Sequence, residues 1–367
     1  MKILAPDFYP DFHCLMGACP DSCCRQGWQI VIDDSHAAQY RQLPGPLGDA
    51  LRDAMTEVDG EICLRMEGGT CALLQTDGLC PVAAQLGEAG LCHICHTHPR
   101  FLEEYGATRE IHLSLSCPEA ARLSLEREAP ILFREESTDE TVSTYNTIDP
   151  EEYAALLEVR KFALSLTQYR DLPISHRMAL LLQLARHIQP LLDRKKYALC
   201  RTYLQRFAHS PLSNRMLAAT YRDRIKGAGW FPEKELFLQL EHLDEQFPAL
   251  VRQAVFSARD GESFDASHAV RMEHLLTLWL SHYIPKAVND GRVDTKIRFA
   301  VLLNLTLRRL CICQKKDAPE DIARMAGLLA KEIEHSRENT ERIYKALEKD
   351  GWHLHLMRQI PLPRKGA

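Results

Sequence analysis

Thiols crowd the start of this chain: ten of its 13 cysteines fall within the first 117 residues. Cys14, Cys19 and the adjacent pair Cys23–Cys24 come first, closed by Gly27-Trp28, and Cys63, Cys71, Cys80, Cys92, Cys95 and Cys117 follow. Only Cys200, Cys311 and Cys313 lie beyond them. Thiolates bind soft and borderline metals, so zinc and iron–sulfur clusters are what such a set would take in a reducing cell. Cys92-x2-Cys95 has the spacing of a zinc knuckle, but no second pair of that kind stands at finger distance. Side chains of adjacent cysteines diverge, which makes Cys23–Cys24 a poor couple for one tetrahedral ion. The spacing therefore fits an iron–sulfur cluster, or two metal sites, better than a single finger. His93, His96 and His98 lie among the thiols, and His13 precedes Cys14. Each is either a ligand, a donor to cluster sulfur, or a plain surface histidine.

Composition bounds the rest. No apolar run reaches the roughly 18 residues that a membrane span requires, and Pro6 and Asp7 interrupt any apolar leader at the N-terminus. A cytoplasmic protein with reduced thiols is expected, without a disulfide framework. Up to residue 120 there are 7 basic and 17 acidic residues; beyond it there are 38 and 33. An acidic cysteine-rich part argues against nucleic acid as partner and suits a basic, lysine-bearing one.

The elements that must hold the thiols are short. Trp28–Ile32 is β-prone, Asp34 or Ser35 can cap a helix through Tyr40, and a second helix is expected over Pro46–Val58. Ile62–Met66 and Cys71–Leu74 flank Gly68-Gly69 as a hairpin, and Pro81–Leu86 forms a helical turn. A polar Ser/Thr-rich stretch, Glu135–Thr147, reads as a linker. Asp149-Pro150-Glu151-Glu152 then starts a helix, with Asp at the cap and Pro in the first turn. Apolar three- and four-residue spacing predicts helices over Glu151–Thr167, Pro173–Leu192, Lys195–Ala208, Glu233–Gln246, Ser267–Val288, Thr295–Cys313 and Pro319–Lys349. Trp230, Trp279 and the leucine stripes are assigned to the core, Gly227-Ala228-Gly229 to a turn. The expectation is a mainly α protein: a cysteine-rich metal-binding domain with minor β structure over 1–134, a linker over 135–148, and an all-α domain over 149–367.

Several motifs together carry a resemblance. Cys19-x3-Cys23-Cys24-x2-Gly27-Trp28, Cys71, Asp77-Gly78-Leu79-Cys80, Leu86-Gly87-Glu88, Leu91-Cys92-x2-Cys95 with Pro99-Arg100, and Ser114-Leu115-Ser116-Cys117-Pro118-Glu119 run in one order. Over about residues 8 to 125 this resembles the FliB-like flagellin lysine-N-methylases and the wider group of cysteine-rich zinc- or iron-chelating domains. The chain departs from the pattern at His96 and His98, and at Ala72-Leu73 after Cys71. Cys63 has no counterpart. The resemblance implies transfer of methyl groups from S-adenosylmethionine to lysine side chains of flagellin, dependent on a 4Fe–4S cluster. Cys14, Cys19, Cys23, Cys24, Cys71, Cys80, Cys92, Cys95 and Cys117 are then the metal-site candidates, zinc the alternative metal, and an electron donor a further candidate partner.

The residues alone leave two other readings open, a non-catalytic zinc- or iron-binding interaction module and a thiol redox sensor. No Gly-x-Gly loop follows a strand, and the Cys-x3-Cys-x2-Cys triplet of radical enzymes is missing, so the methyl donor's site is unassigned. A lysine amine must shed its proton before it attacks a methyl sulfonium, and at neutral pH it is almost wholly protonated. Glu103, Glu104, Tyr105, His112 and Glu119 are the acceptors nearest the thiols in sequence.

Overall fold

The computed structural model describes residues 1–141, 147–209, 232–254, 266–316, 318–349 and 351–360. Gly227–Gly229, Trp230 and residues 142–146 of the expected linker lie outside the described residues. Nine strands are described: β1 Lys2–Pro6, β2 Ile30–Val31, β3 Met55–Val58, β4 Glu61–Leu64, β5 Met66–Glu67, β6 Thr70–Cys71, β7 Arg100–Tyr105, β8 Thr108–Leu113 and β9 Phe133–Ser137. The N-terminal helices are α1 Asp34–Gln42, α2 Gly45–Ala54, α3 Pro81–Leu86, α4 His93–Thr97 and α5 Pro118–Leu125. Then come α6 Pro150–Thr167, α7 Ile174–Asp193, α8 Tyr197–His209, α9 Pro232–Leu238 and α10 Gln246–Gln253. The last are α11 Ala266–Tyr283, α12 Val293–Gln314, α13 Pro319–Glu334, α14 Arg337–Leu347 and α15 Trp352–Gln359. The mainly α expectation holds, and no helix of the described residues is long and apolar enough to cross a membrane.

Local chemistry explains most of these boundaries. Asp33, not Asp34 or Ser35, caps α1 by accepting from His36 N. The helix expected over Pro46–Val58 stops at Ala54. Its tail instead pairs antiparallel with β4 across the left-handed turn Asp59-Gly60, where Thr56 and Val58 are better served by a pleated strand. Asp149 caps α6 as anticipated, accepting from Glu151 N and Glu152 N.

Two expected long helices are interrupted, one by a tertiary contact and one by a local cap. Glu233–Gln246 ends early because Leu243 N and Asp244 N are claimed by the Glu332 carboxylate. Pro319–Lys349 divides at His335-Ser336, where Ser336 Oγ accepts from Asn339 N and begins α14. Pairing the thiol segment with helices also requires a sheet that periodicity does not reveal, ordered β7-β8-β1-β9, with β1 parallel to β8 and antiparallel to β9.

Among the described residues apolar burial forms two cores. The larger joins Phe8, Phe12, Leu115 and Leu125 to the helices, with Trp279 and Leu180, Leu181, Leu184 and Ile188 inside it. It thus draws on both sides of residues 135–148, and Glu135–Ser137 are themselves strand residues paired with β1. The smaller core, Ile32, Tyr40, Leu51, Leu64 and Val82 with Cys71 and Cys92, lies beneath the thiols. Cys200 and Cys311 are buried in the larger core, and Cys313 packs partly buried against it.

A buried ion network fastens the sheet to the helices. Glu110 on β8, with no exposed surface, accepts from Arg160 Nη1 at 2.6 and 2.7 Å and from Tyr153 Oη at 3.1 Å. Burial alone would raise its pKa, but the His112 hydrogen bond and the Arg160 charge outweigh it and hold the carboxyl below its ordinary value. Glu103 on β7 meets Lys286 at 2.7 Å. Its pKa, raised by burial, is brought down by His282 and Lys286 to about 2.

Candidate metal centre and its cavity

Seven of the nine candidate thiols line one cavity of about 620 Å³: Cys14, Cys19, Cys23, Cys24, Cys80, Cys95 and Cys117. The other two, Cys71 and Cys92, are buried in the small core behind it, with Cys71 in electrostatic reach of Cys24, Cys80 and Cys92. No cysteine of the described residues is paired in a disulfide. Short elements aim them. Cys23 and Cys24 sit on a single 3-10 turn whose cap, Ser22 Oγ, accepts from Cys24 N. Gly27, in the left-handed region at φ 73°, donates its N–H to Gly69 O and ties that turn to the β5–β6 hairpin. Cys80, Cys92 and Cys117 each stand at the N-cap of α3, α4 and α5, and Cys95 lies within α4.

The thiols titrate against one another. Cys24 is drawn down to about 6, first by its hydrogen bond to Cys23 and against its own burial, while Cys23 is pushed up. Cys92 and Cys95 form a second such pair, with Cys92 drawn down to about 7 and Cys95 pushed up. Burial raises Cys71 and Cys117 to about 11, and raises Cys19 and Cys80 as well. Thiols packed so closely in apolar surroundings resist ionisation together; a bound cation supplies the charge that would reverse this.

Two wall atoms are buried and unpartnered, the Trp28 Nε1–H donor and the Gln26 Oε1 acceptor. Their neighbours do not satisfy them, which fits a wall made for a group that brings its own acceptor and donor. Among the described residues no three His, Cys, Asp or Glu converge tightly enough to hold a single ion.

The histidines divide. His13, His96 and His98 line the cavity, whereas His93 gives its backbone N–H to Asp33 Oδ2 at 2.8 Å. Burial, then the charges of His335 and Arg100, lower His98 to about 3. Of the acceptors nearest in sequence, only Glu119 reaches the cavity, and Arg122 holds both its oxygens at 2.7 Å. Glu104 is paired with Arg109; Tyr105 stacks on Tyr153, and His112 on His282. Cys63 is buried apart, accepting from Gln29 Nε2.

Sequence reasoning missed one wall residue, His335. The break between α13 and α14 brings it beside Trp28, ring centroids 4.4 Å apart and stacked. The Ser336 cap that makes this break was a legible signal, overridden by the apolar periodicity on either side. Asp21, also on the cavity wall, meets Lys331 of α13 at 2.8 Å, so the last helices reach the thiol segment at Asp21 as well as at Trp28.

The model of the FliB lysine N-methylase C-terminal domain matches residues 160–356. The flagellar biosynthetic protein FliU of Salmonella muenchen is 32% identical over 126 residues, 32% of this chain and 74% of that protein. The lysine-N-methylases of Salmonella choleraesuis and Salmonella typhimurium are each 32% identical over 126 residues. Those alignments cover 32% of this chain and 31% of each enzyme, so less than a third of their length is spanned. No solved structure matches. With the domain model covering more than half of its residues, the chain belongs to the FliB lysine N-methylase family.

Proposed function

We propose that this protein is an S-adenosylmethionine-dependent protein-lysine N-methyltransferase acting on flagellin, with an iron–sulfur cluster, 4Fe–4S, held in the cysteine-lined cavity. The observation that carries the reading is the meeting of seven thiols on one cavity wall, four from residues 14–24 and one each from Cys80, Cys95 and Cys117, in a chain of this family. A cubane engages each thiolate through a different iron, so its ligands stand farther apart than those of one tetrahedral zinc. Thiols that meet in pairs on one wall, with no three converging on a single ion among the described residues, suit the cluster better. Cys19, Cys23, Cys24, Cys80, Cys92 and Cys95 are the first ligands to test; Cys14, Cys71 and Cys117 complete the cluster or a second site. Bound there, the cluster would supply a charged, redox-active iron centre.

The chain's own residues shape what may enter. Tyr9, Phe12, Leu15 and Met16 give the cavity an apolar approach fit for a lysine's methylene stem. Arg100, hydrogen-bonded to Tyr9 Oη at 2.9 Å and set over the Phe12 ring, stiffens that approach. The acidic balance of the first 120 residues would draw a lysine-rich surface by long-range attraction that salt weakens.

The test is anaerobic incubation with S-adenosylmethionine and flagellin, followed by intact mass. The protein should bind iron and labile sulfide and add single methylene increments to flagellin lysines. Cys23→Ala should lose both properties, and Cys200→Ala neither. Stoichiometric zinc without sulfide would replace the cluster with the binding-module reading. A response to oxidant with flagellin's mass unchanged would favour the redox sensor. Methyl transfer that survives complete removal of the metal would leave the cluster a structural part only.

A further inference from the structure

His335 is the cavity residue whose hydrogen bonding is defined most completely. Its Nε2 lies 2.8 Å from Ser116 Oγ and 3.0 Å from Ser114 Oγ. Ser114 Oγ in turn lies 2.6 Å from Glu334 Oε2. Glu334 receives two further donors, Trp279 Nε1 at 3.1 Å and Leu115 N at 3.3 Å, which favour its ionised form against burial, the cause that raises its pKa overall.

Counting protons assigns the tautomer. Ser114 has one hydroxyl proton, and its shortest contact commits it to the carboxylate. Ser116 Oγ lies 2.9 Å from Ser114 Oγ, and its proton directed there gives every contact of the network one proton; both serine oxygens then face His335 as acceptors, so Nε2 carries the ring proton and Nδ1 carries the lone pair. Nδ1 has no partner among the described residues and is not among their buried unsatisfied atoms. Stacking on Trp28, with Phe101 and His98 tilted against the ring at 5.5 and 5.6 Å, fixes its plane.

We propose that His335 Nδ1 is the acceptor that seats the ε-ammonium of the substrate lysine in this cavity. The inference rests on the lysine-methylase reading and names the residue that receives the lysine. Three features support it. Burial, with the Lys331 charge, lowers the imidazole to about 4, so at neutral pH the ring is uncharged and its lone pair is open. The Glu334 carboxylate, linked through Ser114, compensates positive charge drawn onto the ring. Phe12, Leu15, Met16 and Trp28 on the same cavity wall accommodate the methylenes, and norleucine, which has no ammonium, would find Nδ1 unpaired. His335 is thus a lysine-binding and orienting residue, with Ser114, Ser116 and Glu334 positioning it.

The test uses the metal-loaded full-length protein and two fluorescent peptides of one sequence, carrying lysine or norleucine at a single position. A hydrogen bond to a charged group predicts that wild type prefers lysine by about 10- to 100-fold. His335→Phe keeps a ring against Trp28 and should abolish the preference while leaving norleucine affinity unchanged. His335→Asn places an amide oxygen near the position of Nδ1 and should restore part of it. A wild type without preference, a His335→Phe protein that keeps it, or equal loss in Phe and Asn variants overturns the proposal. Methyl transfer with an unaltered preference removes the seat and leaves the methylase reading intact. A preference that depends on His335 in a protein that adds no methyl keeps the seat and removes that reading.

Discussion

Replacing Glu110 with Gln should destabilise the protein by about 3–5 kcal/mol, the cost of leaving a buried charge without its partner. Glu110 is wholly buried, and the Arg160 side chain opposite is 10% exposed. The amide is isosteric and still accepts from Tyr153, so the loss falls on the Arg160 guanidinium, which keeps its charge and its desolvation. An exposed pair sets the scale. Arg201 and Glu158, 50% and 44% exposed, meet at 3.0 Å, and Glu158→Gln should cost less than about 1 kcal/mol. The double variant Glu110→Gln/Arg160→Met removes both charges and should recover most of the loss, since apolar replacement of a buried pair is often close to neutral. Urea unfolding followed by helical circular dichroism measures all four proteins, with the slope required to stay constant. A Glu110→Gln cost no larger than that of Glu158→Gln, or a double variant no more stable than the single, refutes the reasoning. Because β8 leads directly into Ser114 and Ser116, the single variant should also weaken the lysine preference.

Acid should act through the same region. Glu103 at about 2, and Glu110, lie below ordinary carboxyl values; their stabilisation is complete above about pH 4.5 and is lost as pH falls toward 2. A urea midpoint unchanged from pH 5 to pH 3 would contradict this. Gly48→Ala should unfold the α1–α2 corner or cost on the order of 2 kcal/mol or more, because a Cβ there runs into the Leu43 carbonyl, backbone that cannot swing away. Thermal unfolding of that variant at wild-type temperature would show that the corner adapts. Cys200→Ala should leave iron content untouched, since Cys200 is enclosed in the helical core; loss of iron in that variant would place a ligand where none is assigned here.

What could be read from the chain depended on how local each cause was. The thiol motifs were legible because spacing along the sequence is itself the signal, and the cap at Asp149 because a cap is settled within four residues. Helices such as α7 and α12 declared themselves by apolar period. The sheet did not, because β1 finds β8 across about a hundred residues and nothing in Lys2–Pro6 names that partner. The ends of α9 and α13 were missed for a related reason. Glu332 takes the backbone donors that would have extended the first, and Ser336 caps a new helix inside a continuing apolar stripe. His335 was hidden by that second error. It was read as an ordinary helical position when the break makes it part of the cavity wall.

That wall has a consequence for how the protein is made. About 240 residues separate Cys95 from His335, and at about 5–20 residues per second a ribosome takes roughly 12–48 s to cross them. Throughout that interval the thiol segment has emerged while the side closed by His335 and Lys331 does not yet exist. A cluster of the proposed kind would therefore have an open entrance during synthesis and a narrower one afterwards. Oxidants have the same entrance, which makes the nascent chain, more than the finished protein, the stage at which this site is won or lost.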